Sequence, residues 1–442
     1  MCAKQVTPTE ERAAKADSSD VTLEPQQNDR IGVTIYGRNG SATAYAIRDF
    51  LQRSDVPFEW IELKNDEQAR AIGVQDARHV QLPICVFPDG TRLECPTVRQ
   101  ITEKLGWFRD PSLPEYDLAI YGAGPAGLSA AVYGASEGLK TVVVERWAVG
   151  GQASSSPKIE NYLGFPSGIS GADLAERARE QACRFGAEIL LSREGVRGEF
   201  SASKRIVYLA DGMKIIARAT ICATGVRYHR LGLPNEEELT GAGIYYGAGA
   251  SEAAFCGGEH VYLVGGGNSA AQASMHFSAV ARSVTMIVRE DTLKQTVSAY
   301  LVDRIRSTKN IEVLTNVEVT ALIGDKFLEA IKLRNRKTRD EQTVKTHWLF
   351  VCIGGAPHTE WAVEAGVSRD QAGYLLTGPD LMLRSKPIAG WPLDRSPYYL
   401  ETNVPGLFAA GDVRHGSVKR FASAVGEGAM AVTFVHRYLD QG

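Results

Sequence analysis

Gly122-Ala-Gly124-Pro-Ala-Gly127 and Gly265-Gly-Gly267-Asn-Ser-Ala270 are spaced so that backbone could close around a phosphate. Each run follows a short apolar stretch, Asp117-Leu-Ala-Ile-Tyr121 or His260-Val-Tyr-Leu-Val264. Each precedes a helical segment and a second apolar stretch, Thr141-Val-Val-Val-Glu145 or Val284-Thr-Met-Ile-Val288. Strand, glycine turn, helix and strand in that order form a dinucleotide-binding unit. The first glycine permits the tight turn, and the second lets backbone approach a pyrophosphate. The third position, Gly127 or Ala270, lets helix and strand pack closely. The helix N-terminus then offers unpaired N–H groups and the positive end of its dipole. One such run is weak evidence, but the same supersecondary unit repeated in register is strong.

The residue ending the second strand separates the ligands. Glu145 suits a ribose 2′-hydroxyl and opposes a 2′-phosphate, whereas Arg289 favours a 2′-phosphate against the opposition of Glu290. The first unit is therefore expected to take a dinucleotide without the extra phosphate. The second leans to NADPH, with NADH possible.

Further motifs accompany these units. They are Gly150-Gly151-Gln152, Ile159-Glu-Asn161-Tyr-Leu-Gly-Phe-Pro166, Gly168-Ile-Ser-Gly171, Ala223-Thr224-Gly225, Phe350-Val-Cys-Ile-Gly354 and Val404-Pro-Gly-Leu-Phe-Ala-Ala-Gly411-Asp412. With them, the chain from about Tyr116 to Leu439 resembles the low-molecular-weight thioredoxin reductases among the two-dinucleotide-binding flavoproteins. The resemblance implies an α/β fold with two Rossmann-like domains, one for FAD and one for NAD(P)H, in a homodimer. It assigns to FAD Gly122, Gly124, Pro125, Ala126, Gly127, Glu145, Arg146, Gly151, Gln152, Asn161, Ala223, Thr224, Gly225, Gly411 and Asp412. Lys419, Arg420, Phe421 and Ala422 would open a helix whose positive end faces the flavin. Gly265, Gly267, Asn268, Ser269, Ala270 and Arg289 would hold the nicotinamide dinucleotide.

Upstream, the pattern reads strand Gly32–Tyr36, helix Thr43–Arg53, strand Phe58–Leu63, helix Asp66–Ile72, hairpin Ile84–Glu94 and helix Thr97–Leu105. This section more faintly resembles a thioredoxin- or glutaredoxin-like domain. Val33-Thr-Ile-Tyr-Gly37-Arg38 matches the strand leading to the redox pair, and Gln81-Leu82-Pro83 matches the loop carrying a cis-proline. The expected organisation is an arm over 1–30 too polar to fold, a small α/β domain over 31–108 and a linker over 109–115. The FAD domain follows over 116–239 and 354–442, interrupted by the NAD(P)H domain over 240–353.

Both redox motifs are missing. Ser41-Ala-Thr-Ala44 stands at the small domain's Cys-x-x-Cys, and Gly247-Ala-Gly-Ala250-Ser251 stands at the reductase's Cys-x-x-Cys-Asp. Dithiol exchange needs one thiolate to attack and a second thiol to resolve, and these residues supply neither. No side chain is therefore assigned a catalytic role. Hydride transfer from nicotinamide to FAD, which needs no cysteine, survives, with an unknown small-molecule or protein acceptor. The shortened side chains at 247–251 are expected to leave room beside the flavin for that acceptor, with Tyr245 and Tyr246 at a domain seam. Two other readings are a disulfide reductase using Cys256, Cys85 or Cys95, and a non-catalytic nucleotide sensor. The small domain is expected to be a docking or dimerisation module that kept its fold and lost its chemistry, so that deleting residues 1–108 leaves FAD reduction intact.

The bulk composition agrees. A formal charge of −3 over 442 residues, with both signs interspersed, gives no basic surface for nucleic acid or anionic membrane. The seven cysteines have no metal-ligand spacing, so no metal is expected. Without an apolar leader or an unbroken apolar run of membrane length, a cytoplasmic protein is expected.

Overall fold

The computed structural model describes residues 32–441 except 39, 65, 73–81, 202–203, 248, 250, 384–385 and 388–390. The arm expected over 1–30, Gln81 of the proline loop and Ala250 therefore lie outside the described residues.

The chain begins with β1 (Val33–Gly37), α1 (Ala42–Arg53), β2 (Phe58–Glu62), α2 (Asp66–Ala71), β3 (Ile84–Val86), β4 (Arg92–Glu94) and α3 (Val98–Lys104). These strands form one sheet in the order β2-β1-β3-β4, with β1 parallel to β2 and antiparallel to β3. Val33 and Ile35 alternate inward from β1 and meet Ile47, Phe50 and Leu51 of α1. The Ser41 side chain starts α1 by accepting from the Ala44 N–H at 3.2 Å. The Leu82–Pro83 bond is cis.

Next come β5 (Tyr116–Tyr121), α4 (Pro125–Ser136), β6 (Thr141–Glu145), α5 (Gly171–Arg184), β7 (Glu188–Leu191), β8 (Gly195–Phe200), β9 (Arg205–Leu209) and β10 (Lys214–Cys222). They build a sheet ordered β7-β6-β5-β10-β9-β8, and the late strand Leu407–Ala409 joins β10. β6 is buried at every residue, as a parallel strand covered on both faces must be.

After β11 (Arg227–Tyr228), α6 (Glu236–Leu239) and β12 (Ile244–Tyr246) the glycine-turn unit repeats. It runs through β13 (His260–Val264), α7 (Asn268–Ser278), β14 (Ser283–Val288), α8 (Ala299–Ser307) and β15 (Ile311–Thr315). An antiparallel insertion, β16 (Val317–Ile323), β17 (Ala330–Asn335) and β18 (Glu341–Lys345), precedes β19 (Leu349–Val351). The third large sheet is ordered β12-β19-β13-β14-β15 and is parallel throughout. The chain closes with a helix over Phe421–Leu439 that packs on α4, where a Cβ at Gly428 would lie 2.1 Å from the Ala126 carbonyl oxygen. Among the described residues no helix is long and apolar enough to cross a membrane.

Two expectations change. β14 ends at Val288, which is fully buried, so Arg289 lies one residue beyond the strand. The N-terminal sheet also shares buried surface with the loop after β6 rather than standing apart. Ala148, from the loop after β6, is 2% exposed inside the cluster formed by Ile35, Ile47 and Phe50. The described residues of 32–441 accordingly hold together as one compact unit.

Candidate dinucleotide sites

The two glycine turns match atom for atom. Gly122 N–H donates to the Val144 carbonyl at 2.9 Å, and Gly265 N–H to the Ile287 carbonyl at 3.0 Å. The neighbouring parallel strand closes the other side through Ala223 N–H to Tyr121 carbonyl at 2.8 Å and Cys352 N–H to Val264 carbonyl at 2.7 Å. A Cβ at Gly122, where φ is +101°, would sit 2.4 Å from the Ala223 oxygen; at Gly265, where φ is +144°, 2.3 Å from the Cys352 oxygen. Both first glycines are therefore required by backbone crowding. Both middle glycines are different: a Cβ at Gly124 or Gly267 would meet nothing within 4 Å. That open space, at the N-termini of α4 and α7, is where a pyrophosphate fits. At the third position a Cβ on Gly127 would come within 1.8 Å of the Gly122 oxygen, while Ala270 is fully buried.

Around the first turn Glu145 is 8% exposed. Its carboxylate accepts from Ala123 N–H at 2.7 Å and from Trp147 N–H at 2.9 Å. Burial pushes its pKa above the usual carboxylate value, against those two hydrogen bonds. Its remaining lone pairs stay available for a ribose hydroxyl. Arg146 is exposed and loosely paired with Glu194 at 3.7 Å. Gly151 backs onto the turn, for its Cβ would lie 3.3 Å from the Gly124 Cα, and Gln152 donates to the Val226 carbonyl at 2.5 Å. Pro125 and Ala126 open α4, and a Cβ at Gly411 would lie 3.0 Å from that of Ala126. A cleft reaches from Gly122, Glu145 and Thr224 to Arg193, Arg227 and Trp361.

Asp412 is half-buried, and among the described residues its carboxylate makes no hydrogen bond. Burial raises its pKa, with Lys419 opposing. A carboxylate so placed fits the hydroxyls of a ribityl chain. The open face of Gly124 and the Asp412 carboxylate together fit a dinucleotide such as FAD. Asn161 is exposed on a loop whose Tyr162 meets Phe421 at 4.7 Å, which brings Asn161 to the end of the C-terminal helix opened by Phe421 and Ala422. Lys419 turns toward the Tyr374 hydroxyl at 2.5 Å, and Arg420 is exposed.

Around the second turn the Asn268 side chain accepts from Ser298 N–H at 2.8 Å, and Ser269 is exposed. Hydrogen bonding aligns Val288, not Arg289, with Glu145. Arg289 is exposed, and its guanidinium has no ion pair among the described residues. Glu290 lies over the turn, with Oε2 3.2 Å from where a Cβ on Gly266 would stand.

The room expected at 247–251 is filled at the described positions. A Cβ on Gly247, where φ is +91°, would lie 2.7 Å from the Tyr228 hydroxyl. One on Gly249, where φ is +57°, would lie 2.2 Å from the Phe350 ring. Ser251 is buried, and its hydroxyl finds no partner among the described residues. Tyr245 packs against Tyr45 and Phe350 with centroids 5.0 and 5.2 Å apart. The Tyr246 hydroxyl accepts from Leu231 N–H at 3.3 Å and pairs with Glu236. Restoring a thiol here therefore meets both a left-handed backbone and an occupied space. Gly247→Cys is expected to destabilise the protein by about 2 kcal/mol or more, read as a lowered melting temperature, and to confer no disulfide reduction.

The buried sulfurs are poor nucleophiles. Burial pushes the Cys85 and Cys352 thiols up to about 12 and raises those of Cys222 and Cys256. Cys85 pairs across its hairpin with Leu93 rather than Cys95. The described residues contain no cluster fit to hold a metal ion.

Sequence reasoning missed Tyr228, Trp147, Glu427 and the face of α1. Glu427 holds the Gly411 N–H at 2.7 Å and pairs with Arg414 at 2.6 Å. Its position nearly two helical turns into the last helix was the available signal.

A family model described as pyridine nucleotide-disulphide oxidoreductase matches residues 116–428. The chain belongs to that family. Membership makes it an NAD(P)H-dependent FAD oxidoreductase, built like the thioredoxin reductases. A 34.2 kDa protein in the rubredoxin operon of Clostridium pasteurianum is 33% identical over 74% of this chain and 97% of its own length. A thioredoxin reductase of Listeria innocua is 33% identical over 74% of this chain and 94% of its own. The solved thioredoxin reductase of Lactococcus lactis, in the FR conformation, superposes with a TM-score of 0.66 at 28% identity, covering 74% of this chain and all (100%) of that one. The family match begins at Tyr116, so the N-terminal sheet is an addition to it.

Proposed function

We propose that this pyridine nucleotide-disulphide oxidoreductase passes electrons from NADPH or NADH through FAD to an acceptor other than a disulfide exchanged on its own dithiol. The observation that carries the reading is the seam at Gly247, where the Tyr228 hydroxyl fills the space a side chain would need. FAD, when bound, accepts hydride from a reduced nicotinamide ring. The chain's own part is to hold and orient. The Gly124 turn and the α4 N-terminus take one pyrophosphate, and the Gly267 turn and the α7 N-terminus take the other. Glu145 receives a ribose hydroxyl and Asp412 the ribityl chain. Gln152, Asn161 and the start of the C-terminal helix, Lys419 to Ala422, line the ring end.

Arg289, exposed and without an ion pair among the described residues, supports NADPH, whereas Glu290 over Gly266 supports a free ribose hydroxyl. The domain limits are taken as 116–239 with 354–442 for FAD and 240–353 for the nicotinamide dinucleotide, in keeping with the separate sheets. The N-terminal unit, with its β2-β1-β3-β4 order and cis Leu82–Pro83, is read as a glutaredoxin-like domain without redox cysteines. A homodimer in the cytoplasm completes the proposal. Anaerobic additions of NADPH and NADH to the flavin-loaded protein test it. Either nucleotide should bleach the flavin band, and failure of both in excess removes the reading.

A further inference from the structure

Helix α1 carries Tyr45, Asp49 and Arg53 at intervals of four, so all three lie on one face. That face runs along the seam between the two dinucleotide units. Tyr45 meets Tyr245 on the nicotinamide side. Asp49 accepts from the Trp147 indole at 3.4 Å, and the same carboxylate oxygen lies 3.4 Å from Nη1 of Arg53. Trp147 belongs to the loop whose backbone Glu145 holds, and the 3-10 turn Gly151–Ser155, against which α1 packs, rests on Gly124. The face of α1 thus ends beside the wall of the first glycine turn.

Arg53 keeps a donor to spare there. Its side chain is 16% exposed; among the described residues its one ion pair, with Asp49, is at 3.4 Å and shares that oxygen with Trp147, and its buried Nε has no hydrogen-bond partner. Tyr228, Tyr45 and Glu145 are its other electrostatic neighbours, and Glu145 is already engaged by two backbone N–H groups. A largely buried guanidinium with an unused donor can take a further acceptor, and an anionic one gains from its charge as well.

We propose that Arg53 completes the FAD site, supplying to the anionic dinucleotide on the Gly124 turn a cation from outside the family fold. The N-terminal unit is then part of the cofactor site. This rests on the reading of the first turn as the FAD site.

The test is FAD binding to the full-length apoprotein, followed by quenching of flavin fluorescence. Arg53→Met keeps the stem and removes the charge. Its dissociation constant is expected to rise about tenfold to a hundredfold, the span of a lost charge-assisted hydrogen bond, with the apoprotein melting no earlier than wild type. Should that variant fail to fold, Arg53→Lys, which retains a point charge but not the fork, is expected to raise the constant several-fold. Asp49→Asn frees Arg53 and should bind FAD as tightly as wild type or more so. Wild-type affinity in Arg53→Met, or in Arg53→Lys where Arg53→Met cannot be measured, would overturn the proposal. So would a loss in Asp49→Asn equal to that in Arg53→Met, because it would trace the effect to α1 packing. A wild-type protein that takes up no FAD gives a different result, removing the reading of the first turn itself.

Discussion

Gly124→Ala is expected to empty the first dinucleotide site while leaving the apoprotein folded, and Gly127→Ala, three residues away, to do the reverse. The contrast follows from what each new methyl would touch. At Gly124 it meets no protein atom within 4 Å, at φ −71°, which any residue adopts. The cost to folding is that of a poorer helix cap, about 1 kcal/mol or less. The methyl nevertheless projects into the space where a pyrophosphate must approach the backbone, so FAD affinity should fall about a hundredfold or more. At Gly127 the methyl would lie 1.8 Å from the Gly122 carbonyl oxygen, inside the strand–helix packing. No side-chain rotation relieves a clash with backbone, so destabilisation by about 3 kcal/mol or more is expected. Melting of the two apoproteins beside FAD titration separates the effects. Equal melting temperatures would show that the third glycine is not held by packing.

The second large effect is expected at Glu252. Its carboxylate pairs with Arg48 of α1 at 3.0 and 3.1 Å, and the two side chains are 1% and 3% exposed. Arg48 also lies over Trp60 at 4.2 Å and Phe255 at 4.9 Å. Glu252→Ala strands a guanidinium between aromatic rings and should cost about 3–5 kcal/mol. Replacing both partners, as in Arg48→Met with Glu252→Leu, should recover most of that loss, because the desolvation of both charges disappears with their attraction. Urea unfolding of the single and double variants measures the difference. Deleting 32–108 would likewise uncover Trp147, Ala148 and Glu252, so the truncated chain is expected to aggregate rather than retain FAD reduction.

These outcomes mark how far the residues could be read in order along the chain. The glycine roles were legible because each is a local demand: a positive φ, an open approach, a close helix. The same holds for β1, α1 and the hairpin of the N-terminal sheet, where periodicity and capping by Ser41 act over a few residues. What escaped depends on partners distant in sequence. Arg48 and Glu252 are 204 residues apart, and neither carries a local sign of the other. The gap inferred at Gly247 was sound as arithmetic on side-chain volume, yet Tyr228 reaches in from another strand to fill it. The end of β14 was misplaced by one residue because charge at Arg289 resembled a strand end, whereas the ladder ties Ile287 to Gly265. That shift makes Glu290 the acidic neighbour of the second turn.

Counting electrons tests the account most directly. The flavin-loaded protein is titrated anaerobically with dithionite while its absorbance is followed and free thiols are counted before and after. With FAD as the sole carrier, the flavin band should bleach fully at one two-electron equivalent per chain, with no thiols gained. Uptake of two equivalents with two new thiols would place a redox disulfide in the protein and contradict the account.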